Sequence, residues 1–291
     1  MQKRALLLIF STAIISGISI YLNKYAVGGI DSSVFTFLKN ILVAVFLLSL
    51  ILITKSNEFF KLKKRDWAKL VVIGLIGGSV PFLLYFRGLQ LTTAASASLI
   101  HKTMFIFVTA LALTFLKEKL NRTVFIALTF LLIGNYLLIK PTFSFNLGDL
   151  FILSATILWA VENILSKHAL KNISGNMVAF GRMFFGSLFI LLFLFVTNKT
   201  NFGFSTSQIF WVFLTTIMLV LYVVTWYNGL KYIDVSLASS ILLLGSPVTT
   251  LLTYGINIEL GQILGIMLLG AGILVFMNST SQIELKAWTK H

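Results

Sequence analysis

The chain reads as an all-α integral membrane protein of ten transmembrane helices, built as two inverted five-helix repeats with both termini cytoplasmic. Three observations lead there. The first is composition: 58% of the 291 residues are hydrophobic and 11% are charged, where a soluble domain carries about 25% charged residues. With a mean hydropathy of +0.96, the chain has too few charges to cover a water-facing surface. The second is repetition. Residues 16–40 match residues 159–183 at an offset of 143, pairing Lys24 with Lys167, Ala26 with Ala169 and Lys39 with Arg182. Residues 85–98 (YFRGLQLTTAASAS) match 226–239 (WYNGLKYIDVSLAS) at an offset of 141, a register that also pairs Glu118 with Glu259. An odd number of spans per copy turns the second copy over in the bilayer, as in many secondary carriers. The third is charge placement. Segments on the side of the termini hold 16 Lys and Arg and the opposite segments hold 4, with Lys39, Lys102 and Arg182 inside spans. Lys and Arg concentrate in cytoplasmic loops, so the same distribution explains the net charge of +14 without a nucleic-acid partner.

The spans follow in order. Span 1 is expected over 5–22, behind Lys3 and Arg4, which gives it the look of a signal peptide. It lacks a small-residue cleavage site, and Thr12, Ser16, Ser19 and Asn23 share one helical face that a cleaved leader would not need. It is therefore read as retained. Gly28-Gly29 ends it, and span 2 (34–54) carries Lys39 near its start. The loop around Asn57 holds Lys61, Lys63, Lys64 and Arg65, a cluster suited to anchoring on anionic lipid. Span 3 (69–87) bears Gly74 and Gly78 one turn apart, spaced for close helix approach, and Pro81. Span 4 (95–116) opens on small residues, carries His101 and Lys102, and closes at Glu118. Asn121 precedes span 5 (123–139), and Pro141 lies in the stretch 140–148 that divides the halves. Residues 1–140 form the first repeat and 141–291 the second, within one compact membrane domain.

In the second repeat, span 6 (149–168) carries Trp159, Glu162 and Asn163, and Asn172 with Ser174-Gly175 separates it from span 7 (177–197) and Arg182. Span 8 (208–228) bears Tyr222 and Trp226. Span 9 (235–254) opens on SLASS and contains Ser246-Pro247, and span 10 (262–277) bears Gly265, one turn from Gly261.

Ionisable groups at membrane depth are costly and so are candidates for function. Of nine acids, Glu162 alone sits within a span. Trp159 and Ser166 share its face, Asn163 borders it, and Tyr222 with Trp226 makes a similar aromatic stripe. A carboxylate with aromatics suits an ammonium group; the alternative is an ion pair of Glu162 with Arg182 or Lys167. On span 4, His101 and Lys102 point about 100° apart, and with Lys39 they suggest an outer cavity for an anionic group. Snorkelling of Lys102 is the bland alternative. For Lys39 and Arg182 a gating or structural role is expected ahead of substrate recognition. Pro81 and Pro247 either kink their spans or break them and free carbonyls for a ligand.

These features together resemble the drug/metabolite transporter superfamily, specifically the EamA-like family, over essentially the whole chain. The resemblance rests on Lys39 and Arg182 early in spans 2 and 7, on AASAS and SLASS opening spans 4 and 9, and on Ser246-Pro247. It rests also on the acids Glu118 and Glu259 and on glycine in spans 5 and 10. The chain departs at Ile106, which stands where the second copy has Pro247, and at Lys39, where Arg is usual. The resemblance implies a central cavity lined by spans 1–4 and 6–9, with spans 5 and 10 peripheral.

Other classes lack their parts. No GxxxxGK loop is present for ATP-driven pumping. Zero cysteines exclude disulfides and thiolate metal sites, and His101, His168 and His291 lack metal-site spacing, so no metal or cofactor is expected. A membrane-embedded enzyme needs convergent acid/base groups, and His101 and Glu162 lie in opposite halves. A channel needs a repeated polar lining that the spans lack. The expected function is a secondary active transporter working by alternating access on a small polar or zwitterionic metabolite, an amino acid or relative. Protons are the coupling ion if Glu162 carries one. The alternative is an exporter of amphipathic toxicants or dyes. The expected location is the plasma (inner) membrane of a prokaryote.

Overall fold

The computed structural model describes residues 2–55, 57–119, 122–139, 146–199, 203–255 and 259–288. Asn121, Pro141, His291 and most of the expected half boundary lie outside the described residues. Among the described residues the fold is all-α, and ten helices are long and apolar enough to cross a membrane. They are span 1 (Gln2–Gly29), span 2 (Ser32–Thr54), span 3 (Lys64–Leu91), span 4 (Ala94–Leu116) and span 5 (Arg122–Ile139). The second set is span 6 (Leu147–Ala169), span 7 (Gly175–Val196), span 8 (Thr206–Leu230), span 9 (Val235–Thr253) and span 10 (Leu260–Ser279). The last helix runs on to Trp288, beyond the expected stop.

Short polar side chains start these helices, because a helix leaves its first N–H groups without internal partners. Asn146 Oδ1 accepts from Asp149 N at 3.1 Å, Ser174 Oγ from Met177 N at 3.2 Å, and Ser205 Oγ from Gln208 N at 3.3 Å. Outside, Phe115, Leu192 and Phe195 stand more than 60% exposed, an apolar surface that suits lipid rather than water.

The helices pair mainly between halves. Span 1 lies against spans 8 and 9, span 6 against spans 3 and 4, and spans 2, 4 and 5 against spans 7, 9 and 10. Glycine permits the closest of these approaches. A Cβ on Gly134 would stand 2.8 Å from Gly265 O, and one on Gly186 would stand 2.5 Å from the Gly78 carbonyl, so the backbones touch where spans 5 and 10, and 3 and 7, cross.

Equivalent residues of the two halves do equivalent work. Lys24 Nζ donates to Leu89 O at 2.7 Å and Thr92 O at 2.5 Å, tying the end of span 1 to the end of span 3. Lys167 Nζ donates to Leu230 O at 2.8 Å and Ile233 O at 2.6 Å, tying span 6 to span 8. Each lysine satisfies carbonyls that a helix C-terminus leaves open. Lys167 therefore does not pair with Glu162.

Spans 4 and 9 break at matching positions. Span 4 is interrupted at Thr103, whose hydroxyl turns back to Ile100 O at 2.6 Å. Span 9 tightens into a 3₁₀ turn at Leu242–Leu244. Thr103 and Leu244 are 141 residues apart, the repeat register. The break therefore occurs in the first half without a proline, even though Ile106 stands opposite Pro247.

Candidate functional site

Span 3 builds the site's foundation. A wide π turn runs over Gly74–Ser79, and Val80 N donates five residues back to Leu75 O. Pro81, next in the chain, has no N–H to offer the carbonyl four residues before it, which is Gly77. That freed oxygen accepts from Trp159 Nε1 at 2.9 Å and from Arg182 Nε at 3.1 Å. The neighbouring Gly78 O accepts from Asn40 Nδ2 at 2.7 Å. Pro81 thus leaves Gly77 O free, and that oxygen holds two side chains of the site. A Cβ on Gly77 would collide with Glu162 Cγ, so only glycine lets span 3 pass the carboxylate.

Glu162 is 1% exposed. A buried carboxylate must be paired or heavily hydrogen-bonded to stay ionised. Tyr227 OH donates to its Oε1 at 2.7 Å, Ser166 Oγ donates to the same oxygen, and Arg182 Nη1 lies 3.8 Å from Oε2. Arg182 Nη1 also donates to Tyr227 OH at 2.9 Å, closing a ring of three groups. The ion pair with Arg182 is thus present. Glu162 and Arg182 each sit seven residues from the end of their span on the same side, about 10 Å deep at 1.5 Å per residue.

The first half repeats this plan with different chemistry. Lys39 occupies Arg182's position, Asn23 that of Ser166, Phe86 that of Tyr227, and Ser19 that of Glu162. Lys39 is 1% exposed and donates to Asn23 Oδ1 at 2.6 Å. Its Nζ lies 4.8 Å from the centre of the Phe86 ring and 5.0 Å from that of Phe35, so ring faces supply the attraction that an acid supplies to Arg182. No acid pairs with Lys39 among the described residues.

Both arrangements open on one cavity of about 80 Å³, walled by spans 1, 2, 3, 4, 6, 7 and 8. Ordinary ligand sites run to roughly 300–1,000 Å³, so this conformation is drawn in around the charges. Of the residues expected from sequence, Trp159, Glu162, Asn163, His101, Tyr222 and Trp226 all line it, together with Lys39 and Arg182. The Tyr222 and Trp226 rings stack at 6.3 Å, and Trp226 Nε1 donates to Asn163 Oδ1 at 3.2 Å. His101 packs edge-on to Trp159 at 5.1 Å, and its Nδ1 is buried without a partner. His101 and Glu162, expected in opposite halves of the membrane, therefore bound the same space.

Lys102 lies outside the lining. Its Nζ donates to Ser16 Oγ at 2.8 Å and faces Gly245 at the break of span 9. It reaches the cavity only through Ser16, which lines it. Pro247 is not in the lining either; beside it, Ser246 Oγ donates to Asn135 Oδ1 at 2.7 Å, joining span 9 to span 5. Sequence reasoning missed Tyr227, Gly77 and the aromatic wall of Phe82, Tyr85 and Phe86. The repeat carried a signal for them, since the block that aligns Tyr85-Phe86 with Trp226-Tyr227 includes the expected Trp226. The described residues hold no cluster of three or more potential metal ligands.

Just beyond span 4, Glu118 accepts from Val235 N at 2.8 Å, from Ser236 N at 3.4 Å and from the Ser236 hydroxyl. It thereby caps span 9 from outside that helix. Burial, with Asp234 nearby, pushes the Glu118 carboxyl above the usual range, outweighing these hydrogen bonds.

The comparisons with known proteins agree with this architecture. The chain is 24% identical over 283 residues to an uncharacterized transporter of Bacillus subtilis, YyaM, covering 92% of each chain. It is 26% identical over 287 residues to YoaV, a second uncharacterized transporter of that organism, covering 95% of this chain and 97% of the other. A solved crystal structure superposes with a TM-score of 0.77 at 17% identity, covering 97% of this chain and 99% of that one, which shows a shared fold. The model of the EamA-like transporter family matches twice, over residues 3–140 and 146–278, and the chain belongs to that family.

Proposed function

We propose that this chain is a secondary active transporter that moves a small polar or zwitterionic metabolite, an amino acid or relative, by alternating access. One observation carries the reading: Glu162 and the acid-free cation Lys39 line the same cavity. A zwitterion presents both charges at once. Its ammonium group suits Glu162 and the faces of Trp226, Tyr222 and Trp159, because a cation is attracted to carboxylate and ring alike. Its carboxylate suits Lys39 and the unpartnered Nδ1 of His101 acting as an N–H donor, with Lys102 adding positive potential through Ser16. Arg182 and Lys39 double as the groups whose pairing changes when the substrate arrives. The buried charged groups in the lining favour a polar metabolite over an amphipathic dye.

In this proposal both termini face the cytoplasm of a prokaryotic cell, which puts Glu162 and Arg182 in the inner half of the plasma membrane and Lys39 in the outer half. The break of span 9 at Leu242–Leu244, followed by Pro247, is a natural place for bending. Metabolite profiling of cells with and without the gene identifies candidate substrates, and uptake into proteoliposomes then tests the mechanism. Saturation and counterflow of a labelled amino acid or relative are expected. Linear uptake without counterflow would mean a channel, and accumulation of dyes alone would mean an exporter of toxicants.

A further inference from the structure

A second cavity, separate from the one described, lies between the start of span 3 and the ends of spans 4 and 6 and encloses about 650 Å³. Its wall is apolar, with Val72 and Ile73 from span 3, Phe115 from span 4, and Val161 and Ile164 from span 6. Val72 and Phe115 are 43% and 69% exposed, so the groove opens sideways toward the bilayer rather than into water. From His168 at its mouth to Val161 it follows span 6 for seven residues, about 10 Å.

The mouth is basic. Arg65, Lys69 and His168 line it, and the exposed Lys61, Lys63 and Lys64 stand just before and at the start of span 3. Asp66, 3.4 Å from Lys69, offsets one of these charges and leaves the rim positive. Apolar depth beneath a cationic mouth, at the end of the transmembrane helices, matches one chemistry: a lipid with an acyl chain and an anionic phosphodiester headgroup. A zwitterionic lipid would fill the groove but gain little at the rim. A cationic amphiphile would be repelled there.

We propose that this groove is a binding site for an anionic phospholipid, with one acyl chain against Ile164 and Val72 and the phosphate at Arg65, Lys69 and His168. The far wall of span 6 carries Glu162, two residues from Ile164, so the lipid braces the helix that presents the carboxylate.

The full-length purified chain, offered equal amounts of dioleoyl phosphatidylglycerol and dioleoyl phosphatidylcholine, should retain the former about fivefold or more in native mass spectrometry. That is the preference one basic side chain near the headgroups supplies. Combined Arg65→Gln, Lys69→Gln and His168→Gln should bring the ratio near one, while Lys199→Gln, at the opposite end, should leave it unchanged. Ile164→Trp should fill the groove and reduce retention with the rim intact; Val72→Trp replaces it if the first variant aggregates. Inorganic phosphate at millimolar concentration should not displace the lipid. Equal retention of the two lipids, an unchanged ratio in the triple variant, or displacement by phosphate alone would each overturn the proposal.

Discussion

Glu162 and Tyr227 are joined by a 2.7 Å hydrogen bond, and the same phenol accepts from Arg182 at 2.9 Å. Tyr227 therefore mediates between a buried acid and a buried base whose nearest charged atoms are 3.8 Å apart. In the other half the equivalent residue is Phe86, which offers Lys39 a ring face and no hydroxyl. Two halves descended from one plan thus hold their cations by different forces.

Replacing Glu162 by Gln keeps the shape and removes the charge. Transport should fall at least tenfold, about 1.4 kcal/mol at the barrier, with unchanged amounts of protein in the membrane. If Glu162 carries the coupling proton, the dependence of uptake on the pH gradient should vanish in the same variant. Wild-type uptake would reduce Glu162 to an interhelical ion pair.

Gly77→Ala should be more damaging than Pro81→Ala. The new methyl meets Glu162 Cγ, and overpacking of this kind costs about 1–3 kcal/mol. Pro81→Ala returns an N–H that competes for Gly77 O, loosening Trp159 and Arg182 without a clash. Melting temperature together with uptake distinguishes the two; equal behaviour would show that the freed carbonyl has no special part.

Lys102→Ala should weaken binding of carboxylate-bearing substrates by ~1–3 kcal/mol, the scale of a charge-assisted bond. Neutral analogues should lose far less. Because Lys102 acts through Ser16, Ser16→Ala should reproduce part of the loss. Equal losses for charged and neutral substrates in a binding assay would assign Lys102 to the fold alone.

Glu118 titrates above the usual carboxylate range because burial and Asp234 oppose its ionisation. An acid whose folded pKa is raised contributes stability that is fully present below its unfolded pKa, about 4.3. That contribution is lost as pH rises through the folded value. The melting temperature of the solubilised chain should therefore decline across that window, and Glu118→Gln should flatten the decline. An identical pH profile in the two proteins would rule Glu118 out as its source.

Reporter fusions at Ser56 and at the C-terminus should report cytoplasm, and a tag at Asn201 should be external. A reversal at any one of these positions would break the register on which the inverted arrangement depends.

The ten spans were legible because twenty-residue apolar runs and their breakers leave little freedom. The residues around Glu162 were partly legible, since helical spacing places Trp159, Asn163 and Ser166 beside it. Tyr227 was not, because which face of span 8 meets spans 6 and 7 is set by tertiary packing. The span 4 break at Thr103 was equally hidden: a threonine hydroxyl turning back on its own helix leaves no mark in hydropathy. Lys102 illustrates the converse. Its depth was readable, but its direction, toward Ser16 and Gly245, is set by packing against span 1 of its own half and span 9 of the other.

The pairing of spans between halves has a consequence for synthesis. Most of the packing of spans 1 to 5 is against the stretch from Leu147 onward, so the first half closes only in part while it is being made. Contacts such as Gly134 with Gly265 or Arg182 with Gly77 wait for more than a hundred further residues to be inserted, and such distant pairings form slowly. Until then Gly77, Gly78 and Gly134 stand on helix faces without their final neighbours. The nascent chain is most vulnerable to quality-control proteases in that interval, before its tenth helix arrives.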